Sequence, residues 1–388
     1  MRHRLCGRVV QGNGAPVTLR TSRLEDGTER AGWGGVQTCG SVWACAICSA
    51  KIAHLRQQEI ASALTAWRSI PGAGDVALLT LTMRHRKGQK LATLWGALSD
   101  AWNHVTRGRA WGVDQLGAGI LMQRVVKSGK RKGQTVTDVK VPWIKATEVT
   151  VSYDNGWHVH LHVVIFLREG VTTSAQTALF GGIWRRWRDG LVAAGLDAPR
   201  AHLGGLDIRP VDLASGDVLS EYFTKAVYSA SAEVARGDLK SGRRGGRTPM
   251  QVLRDLVEGD RGVVRDDVDP AEFEAVMAED RAIWGEWERS SHGRRQITWS
   301  GGFRDLLGLG AERTDEELAE DDDAAGDVVL ELEPAVFRSI VAARLDYVVL
   351  RLWVTDRRAA LVLLGQHEHC VDDDRERIGM GRGRWRAK

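Results

Sequence analysis

The chain has 388 residues, of which 43% are hydrophobic and 27% are charged. This composition is typical of a soluble globular protein with one large domain or two to three smaller ones. No apolar run approaches the roughly 18 residues that a membrane-spanning helix requires, and the first residues lack the apolar region of a secretory signal. The composition therefore argues against a membrane protein or a secreted one, and we expect a cytoplasmic protein.

The net charge of +4 conceals an uneven distribution. Residues 312–327 contain nine acidic residues and one Arg, which gives this segment a net charge of −8. The rest of the chain therefore carries +12, since −8 and +12 sum to +4. Basic residues cluster at 127–132, 236–247 and 375–388. Such clusters favour a polyphosphate partner, and solvated surface loops are the alternative interpretation.

Four of the five cysteines lie in the first fifty residues. Cys45 and Cys48 form a Cys-x-x-Cys pair, and Cys39 precedes it by six residues. In a reducing compartment this spacing indicates a metal knuckle more than a disulfide. Cys6 would complete a tetrahedral zinc site of four cysteines, with His54 as the substitute ligand. A redox pair or unrelated core cysteines are the competing interpretations.

Periodicity and turn residues predict alternating strands and helices through the middle of the chain. Strands joined partly by hairpins, with helices on one face, are typical of an α+β fold with an antiparallel sheet. The predicted strands cover 76–83, 119–126, 146–151, about 158–167 and 206–211, and the predicted helices cover 50–67, about 91–102, 173–194 and a segment from about 217.

Three histidines alternate with apolar residues in one of the predicted strands. His158, His160 and His162 are followed by a run of Val, Ile, Phe and Leu. Because alternate side chains of a strand point to the same face, the three imidazoles should share one face. Polar side chains on a solvated strand face are the alternative, which three histidines at a period of two make the weaker interpretation.

A carboxylate is predicted on the same face. Asn155-Gly156 indicates a hairpin with the preceding strand. With a loop of residues 154–156, Glu148 would oppose His162. Two imidazoles and one carboxylate bind a divalent cation and leave positions open for a substrate. The sequence therefore predicts a metal site of Glu148, His160 and His162, although a one-residue register shift would turn Glu148 away.

A later predicted helix carries a candidate nucleophile. Tyr222 and Lys225 are three residues apart and share a helix face. A Lys ammonium beside a phenol favours the phenolate and can also hold a phosphate. A half-buried Tyr beside an extended Lys is the alternative interpretation. Tyr228 lies about 240° further around the helix, so both tyrosines cannot face one metal site and a single nucleophile is predicted.

Five short segments of the chain form an ordered set, namely Leu78–His85, Asn155–His162, Tyr222–Lys225, Arg247–Leu253 and Gly293–Ser300. In this order they resemble the rolling-circle replication initiators (Rep) of plasmids from high-GC Gram-positive bacteria. These initiators belong to the superfamily of histidine-hydrophobic-histidine, or HUH, endonucleases. The cysteine-rich segment is similar as well, so the resemblance covers about residues 1–310.

The resemblance implies an HUH palm, which is a ferredoxin-like antiparallel sheet, preceded by a zinc-knuckle segment. It implies that His160 and His162 are the motif histidines and that a third polar ligand, for which Glu148 is our candidate, completes a site for Mg²⁺ or Mn²⁺. His158 would then support the ligands or contact DNA. The zinc knuckle would hold Zn²⁺ and help to position the DNA.

The resemblance also implies roles for the predicted helix. Tyr222 and Lys225 match the Tyr-x-x-Lys motif of the family, as nucleophile and as charge-stabilising group. Ala226 departs from the pattern, since many relatives carry a second aromatic residue there, and this departure keeps Tyr228 as an alternative nucleophile. The implied product is a 5′-phosphotyrosine with a free 3′-hydroxyl that primes synthesis, and the strand is later rejoined.

The implied partner is the double-strand origin of a plasmid, single-stranded at the nick, and a host helicase is a further candidate partner. No membrane partner is expected. The predicted DNA-contacting residues are Arg84, His85, Lys127, Lys130, Arg131, Lys132, Arg243, Arg244 and Arg247.

The predicted domain order has five parts. These are a cysteine-rich zinc-binding segment with its helix (1–70), an HUH endonuclease core (75–235), a helical and basic extension (236–310), an acidic linker (311–327) and a small C-terminal domain with a basic tail (328–388).

Three other functions fit parts of the pattern. A conjugative relaxase or a transposase would use the same metal site, but the order of motifs favours an initiator. A barrel-type metallohydrolase would require further His and Asp ligands at later strand ends, where the remaining histidines lie in poor contexts. A zinc-dependent DNA-binding regulator without catalysis would leave Tyr222, Lys225 and the histidine strand without a role.

Overall fold

The computed structural model describes residues 5–12, 16–23, 27, 29–108, 116–126, 129–211, 246–260, 269–321, 326–377 and 386–387. The chain divides into two compact units. The larger unit comprises residues 56–312, and the smaller unit comprises residues 1–55 together with 313–388. Antiparallel sheets and helices make up both units, so the predicted α+β class is confirmed.

The elements are numbered in chain order. The strands are β1 (Val17–Arg23), β2 (Glu29–Gly34), β3 (Ala73–Thr82), β4 (Ile120–Val125), β5 (Thr135–Lys140), β6 (Trp143–Ser152), β7 (Gly156–Arg168), β8 (Leu206–Val211), β9 (Ile297–Trp299), β10 (Asp327–Leu332) and β11 (Arg386–Ala387). The helices are α1 (Ala46–Trp67), α2 (Leu91–Thr106), α3 (Thr173–Ala193), α4 (Pro249–Asp260), α5 (Pro270–Ser291), α6 (Phe303–Leu306), α7 (Asp315–Glu320), α8 (Pro334–Ala342), α9 (Asp346–Thr355) and α10 (Arg357–Arg377).

A five-stranded sheet forms the centre of the larger unit. Its order is β8-β3-β7-β6-β9, and every neighbouring pair is antiparallel. Strand β7 takes the central position because its run of Val, Ile, Phe and Leu from Val163 to Leu167 is buried on both faces. The predicted strands and helices that fall on described residues of this region lie within a few residues of the observed elements. The helix predicted from about residue 217 lies outside the described residues.

Tryptophans attach helices to the face of this sheet that lies opposite the histidines. Trp102 of α2 meets Trp143 of β6 edge-on at 5.1 Å, and the indole N–H of Trp187 of α3 donates to the carbonyl of Thr82. Trp287 of α5 stacks on Trp157 of β7. These large apolar side chains bury this face of the sheet, and the histidine face is left to carry the polar groups.

Helices also cover part of the histidine face. The sequence predicts helices on one face of the sheet only, so the second covering corrects that prediction. The rings of Trp67 at the end of α1 and Phe303 of α6 contact Phe166, with centroids 5.2 and 4.6 Å away. Phe166 lies on the histidine face because it is four residues beyond His162. The apolar half of β7 therefore requires cover on both faces, whereas its histidine half does not.

The β6–β7 hairpin has a different register from the predicted one. The loop consists of residues 153–155, so Ser152 opposes Gly156 and Glu148 opposes His160 instead of His162. Gly156 has a φ of +72°, which ends a three-residue turn in the left-handed region and places this glycine in the strand. The correction is a shift of two residues, which keeps Glu148 on the histidine face.

Strands β4 and β5 form a separate two-stranded ribbon in the larger unit. The sequence predicts β4, but β5 was missed because Thr135–Lys140 is largely polar. Met122 and Ile120 point to the buried face of the ribbon, at 2% and 8% exposure, and β4 packs against α6. The strands are joined through a basic turn that includes Lys130, Arg131 and Lys132.

The smaller unit contains a four-stranded sheet with the order β11-β10-β1-β2. Val17, Leu19, Leu330 and Leu332 point into its core, where Phe337 of α8 is also fully buried. Helices α8, α9 and α10 complete this core. Because β10 pairs with β1, the two ends of the chain fold as one unit.

This pairing differs from the predicted domain order. The predicted order separates a cysteine-rich N-terminal segment from a C-terminal domain, whereas residues 1–55 and 313–388 form one unit. The predicted acidic linker contains α7, which begins at a capping box of Thr314 and Glu317 and buries Leu318. Residues 322–325 of the predicted linker lie outside the described residues.

Candidate functional site

Glu148, His160 and His162 come together on one face of the central sheet. The Nε2 atoms of His160 and His162 lie 2.9 and 2.7 Å from the same Oε2 atom of Glu148. The ligand atoms of all three residues lie within 4.8 Å of one another. The strands produce this convergence, since His160 and His162 are alternate residues of β7 and Glu148 is the cross-strand partner of His160.

The donor set and its spacing fit a divalent metal ion. Neighbouring ligands of an octahedral ion with bonds of about 2.1 Å lie about 3.0 Å apart, close to the two distances from Glu148. Two imidazoles with one carboxylate suit Mn²⁺ or a similar transition ion better than Ca²⁺, which prefers oxygen ligands. Three protein ligands on one face would leave further positions for water or a phosphate oxygen.

The electrostatics of Glu148 keep it ionised. Burial alone would raise the pKa of this carboxyl, but the hydrogen bonds from His160 and His162 outweigh burial and hold the pKa well below its usual range. Burial lowers the pKa of His162, and the contact with Glu148 only partly offsets this effect. Both residues are therefore in the protonation states that metal ligands need at neutral pH.

Thr80 of β3 supports His162 from the neighbouring strand. Its Oγ1 atom lies 3.1 Å from the Nδ1 atom of His162, and the two residues are cross-strand partners. When Nε2 of His162 holds a metal ion, Nδ1 carries the proton and donates to this hydroxyl. The metal ion then sets the tautomer, and the hydroxyl holds the orientation of the ring. The sequence contains a hint of this role, because threonines alternate at the end of β3.

His158 contacts His85 and lies outside the group that could hold the metal. The Nδ1 atom of His158 is 2.9 Å from the Nε2 atom of His85, and the rings of His158 and His160 are 5.0 Å apart. The predicted position of His158 beside the ligands agrees with this geometry, and its role stays a prediction. Sequence reasoning missed the contact with His85, because it depends on the pairing of β3 with β7.

A cleft of about 210 Å³ lies at the end of β3. Thr82, the cross-strand partner of His160, lines it together with Arg84 and Arg200. Both arginines are exposed. A phosphate-bearing chain in this cleft would meet two cations, and one of them, Arg84, is a predicted DNA contact.

Arg247 has a different environment from the other predicted DNA contacts that the structure describes. Its guanidinium pairs with Asp280 at 2.6 Å and with Asp255 at 2.9 Å, and it lies 4.5 Å from the ring centroid of Tyr153. Tyr153 donates its hydroxyl to Asp280 as well. Asp280 is only 1% exposed, so this network fastens α4 and α5 to the β6–β7 hairpin. These contacts give Arg247 a structural role.

Some of the other predicted DNA contacts lie among the described residues. Lys130, Arg131 and Lys132 are exposed at the turn of the β4–β5 ribbon, and Arg84 is exposed after β3. His85 is half-buried. The predicted nucleophile Tyr222, its neighbour Lys225, the alternative Tyr228, and the predicted contacts Lys127, Arg243 and Arg244 lie outside the described residues.

The second group that could hold a metal consists of Cys6, Cys39, Cys45 and Cys48 in the smaller unit. The Sγ atom of Cys6 lies 3.4 Å from those of Cys45 and Cys48, and Cys39 lies 3.7 Å from Cys48. Thiolates around a tetrahedral zinc ion with bonds of about 2.3 Å are about 3.8 Å apart. The four buried thiols thus fit Zn²⁺, and His54 is not needed as a ligand.

The protonation of these thiols is shared within the cluster. The contact with Cys45 lowers the pKa of Cys39 to about 6, while hydrogen bonds, the largest from Cys39, raise the pKa of Cys6. With four sulfur atoms so close together, some of these cysteines are therefore thiolates and others keep their protons as thiols. A metal ion that accepts four thiolates would displace the retained protons.

Comparison with known proteins bears on the resemblance. Protein rep of Streptomyces lividans is 30% identical over 299 residues, which are 71% of this chain and 64% of that protein. The chain is a relative of Protein rep. The predicted resemblance to Rep proteins is thereby confirmed.

Other comparisons are narrower. The neomycin resistance protein of Streptomyces cyanogenus is 26% identical to this Rep relative over 147 residues, which are 34% of the chain and 31% of that protein. The chain thus spans less than two thirds of the length of either curated relative. No protein-family profile matches the chain, and no solved structure matches it. Within the described part of the chain, no helix is both long enough and apolar enough to cross a membrane.

Proposed function

We propose that this Rep relative is a plasmid replication initiator that nicks one strand of its origin by tyrosine transesterification. The observation that carries the proposal is the convergence of His160 and His162 on one carboxylate oxygen of Glu148. The five-stranded sheet that presents these residues would be the HUH palm. The similarity to Protein rep of Streptomyces lividans supports the biological setting.

Glu148, His160 and His162 would hold Mg²⁺ or Mn²⁺, which supplies electrophilic activation of the scissile phosphate when bound. When Nε2 of His162 binds the metal ion, Thr80 would accept a hydrogen bond from the Nδ1 atom of that ring, and burial keeps the imidazole neutral. Arg84 and Arg200 would hold the neighbouring phosphates through charge. Each of these roles belongs to residues whose positions are fixed by the antiparallel strands or by the loops next to them.

The proposed nucleophile is the phenol oxygen of Tyr222. Its attack on phosphorus forms the Tyr–O–P bond and breaks the bond from phosphorus to the 3′-oxygen, which leaves as a hydroxyl with the phenol proton. The product is a 5′-phosphotyrosine. Lys225 would stabilise the negative charge on the phenolate or the phosphate. Because one phosphodiester replaces another of similar energy, the reverse reaction can rejoin the strand without ATP.

The proposal is tested by incubating the purified protein with labelled single-stranded DNA of its own replicon, in Mn²⁺, Mg²⁺ or EDTA. A denaturing protein gel separates covalent adducts from free DNA. We expect a metal-dependent adduct in the parent protein and in Tyr228→Phe, and none in Tyr222→Phe. Adduct formation by Tyr222→Phe would overturn the assignment of the nucleophile.

The same assay separates this function from two alternatives. A relaxase or transposase would form the adduct on DNA from a transfer origin or a transposon end in preference to a replication origin. A zinc-dependent regulator would bind duplex DNA without forming an adduct on any strand. The replicon sequence is the natural first substrate, because Protein rep is the relative with the larger aligned region.

A further inference from the structure

The β4–β5 ribbon leaves one of its faces open. Leu121 and Val125 of β4 are 63% and 53% exposed, and Gln123 between them is exposed as well. Thr135 and Thr137, the cross-strand partners of Val125 and Gln123, are also exposed, whereas Val139, the partner of Leu121, is half-buried. The opposite face carries the buried Met122 and anchors the ribbon to the larger unit. An apolar and hydroxylic face of this kind is the part of a sheet that usually receives cover.

The charge around this face is strongly positive. Residues 120–140 contain six basic residues and one acidic residue, Asp138. Asp138 lies on the anchored face as the partner of Met122, and its carboxylate pairs with Lys140. Lys130, Arg131 and Lys132 are exposed at the turn. The open face therefore combines uncharged side chains along its length with cations at its end, which fits a polyanion that also presents non-ionic groups.

The dimensions match the major groove of duplex DNA, which is wide enough for a two-stranded ribbon. Each strand of the ribbon has six residues, so it extends over roughly 20 Å. Side chains on one face repeat every ~6.8 Å, which is about two base-pair steps. The described residues of the open face include no aromatic ring, although stacking on aromatic rings is the usual way to hold single-stranded DNA. Duplex DNA is therefore the better fit.

We propose that the β4–β5 ribbon enters the major groove of duplex DNA and reads bases there through Gln123 and Thr137. The two residues are cross-strand partners at the middle of the open face. A Gln amide can pair with N6 and N7 of adenine, a Thr hydroxyl can bond to several base edges, and the flanking Leu121 and Val125 suit the methyl groups of thymine. Lys130, Arg131 and Lys132 would bind the backbone phosphates.

This proposal rests on the proposed function for the identity of the partner as DNA. It adds an element that recognises the duplex beside the cut, separate from the residues that cut the strand. Base contacts and phosphate contacts have different effects on DNA binding. Phosphate contacts determine how the affinity depends on salt, and base contacts determine the sequence preference. The test can therefore address the two parts of the ribbon independently.

The experiment begins with a library of random duplex DNA, from which the full-length parent protein selects its preferred sequence. Affinities for the selected duplex and for a scrambled duplex are then measured at several salt concentrations. The variants are Gln123→Ala/Thr137→Ala for base reading and Lys130→Ala/Lys132→Ala for phosphate binding. The matched control, Arg185→Ala/Arg188→Ala, removes two exposed cations from α3.

We expect Gln123→Ala/Thr137→Ala to bind the selected duplex about 5- to 150-fold more weakly and the scrambled duplex unchanged. We expect Lys130→Ala/Lys132→Ala to weaken both duplexes and to reduce the slope of log K against log salt by about 1.8. The control should behave like the parent. Because the altered side chains are exposed, thermal melting should confirm an intact fold in each variant.

Unchanged preference and unchanged salt slope in both ribbon variants would overturn the proposal. Covalent adduct formation on single-stranded DNA is measured in parallel, and Gln123→Ala/Thr137→Ala should retain it. If the adduct forms and the ribbon variants bind duplex DNA normally, only the ribbon proposal fails. If no protein forms an adduct while the ribbon variants lose their preference, the proposed nicking fails and the ribbon proposal stands.

Discussion

The Nε2 atom of His85 lies 2.9 Å from the Nδ1 atom of His158, which joins the segment after β3 to the histidine strand. The other nitrogen of His85 donates to the carbonyl of Asn155 at 3.1 Å, because a carbonyl can only accept. A neutral imidazole has one donor and one acceptor, so Nε2 of His85 accepts from Nδ1 of His158. His158 is therefore fixed in the tautomer that leaves its Nε2 unprotonated.

This contact leads to a prediction about acid stability. Burial lowers the pKa of His158 to about 4, and burial also lowers the pKa of His85. A histidine with a depressed pKa takes up its proton more readily in the unfolded chain than in the folded one. The free energy of unfolding is therefore greatest above pH 6.5 and falls as the pH falls toward 4. With EDTA present, urea unfolding should show a loss of roughly 1 to 3 kcal/mol across this window.

Variants separate the buried pair from other titrating groups. His85→Asn/His158→Gln should make the dependence on pH less steep and leave the part that His162 contributes, whereas His202→Asn, at an exposed position, should leave it unchanged. Glu148 contributes stability that is lost only below its ordinary pKa of 4.5, so measurements above pH 4.5 isolate the imidazoles. An equally steep dependence in the double variant would contradict the assignment.

Thr80 provides a second prediction, about metal affinity. Thr80→Val keeps the shape of the side chain and removes the hydroxyl that lies 3.1 Å from Nδ1 of His162. Loss of such a supporting hydrogen bond should weaken Mn²⁺ binding by about 10- to 100-fold. Thr82→Val is the matched control on the same strand, because no hydrogen bond of its hydroxyl is found among the described residues. Calorimetric titration with Mn²⁺ measures both, and equal affinities would refute the role of Thr80.

The cysteine cluster predicts one structural zinc ion per chain. Elemental analysis of the purified protein should find it, and Cys6→Ser should lose it and melt at a lower temperature, since an ion held by the four cysteines would stabilise the folded smaller unit. Cys370→Ser is the control and should retain the zinc. Retention of a full equivalent of zinc by Cys6→Ser would show that three cysteines with another ligand suffice.

The network around Arg247 predicts a large effect on stability. Asp280→Ala removes a carboxylate that is 1% exposed and leaves Arg247 without its shortest ion pair, which should cost about 3 to 5 kcal/mol of unfolding free energy. Asp197→Ala breaks the exposed pair with Arg86 and should change the stability little. Chemical denaturation compares the two. A small effect of Asp280→Ala would mean that Arg247 is free to serve as a DNA contact.

Local patterns were sufficient to predict much of the site. The alternation of His158, His160 and His162 is a property of one strand, and Asn155-Gly156 specifies the hairpin that brings Glu148 to the same face. The predicted register was wrong by two residues, because residue types alone do not show whether Gly156 ends the loop or begins the strand. Glu148 still lies on the predicted face, because a shift of two residues leaves the alternation of side chains unchanged.

Features that depend on long-range pairing were not predictable in the same way. The contact between His85 and His158 requires that β3 lie beside β7, and no local pattern states the order of strands. The pairing of β1 with β10 joins segments about 300 residues apart, so composition suggested two domains where one unit exists. The cysteine cluster was an exception, since the affinity of four thiols for one metal makes spacing informative.

The most direct test of the proposed nicking is to identify the amino acid that carries the DNA. The protein is incubated with single-stranded DNA of its replicon and Mn²⁺, the DNA is trimmed with a nuclease, and the adduct is digested with trypsin. Cleavage after Lys225 places Tyr222 in the peptide of residues 201–225 and Tyr228 in the peptide of residues 226–236. We predict that mass spectrometry will find the nucleotide on the first peptide, only when metal is present. A nucleotide on the second peptide, or an adduct that forms equally in EDTA, would contradict the proposed mechanism.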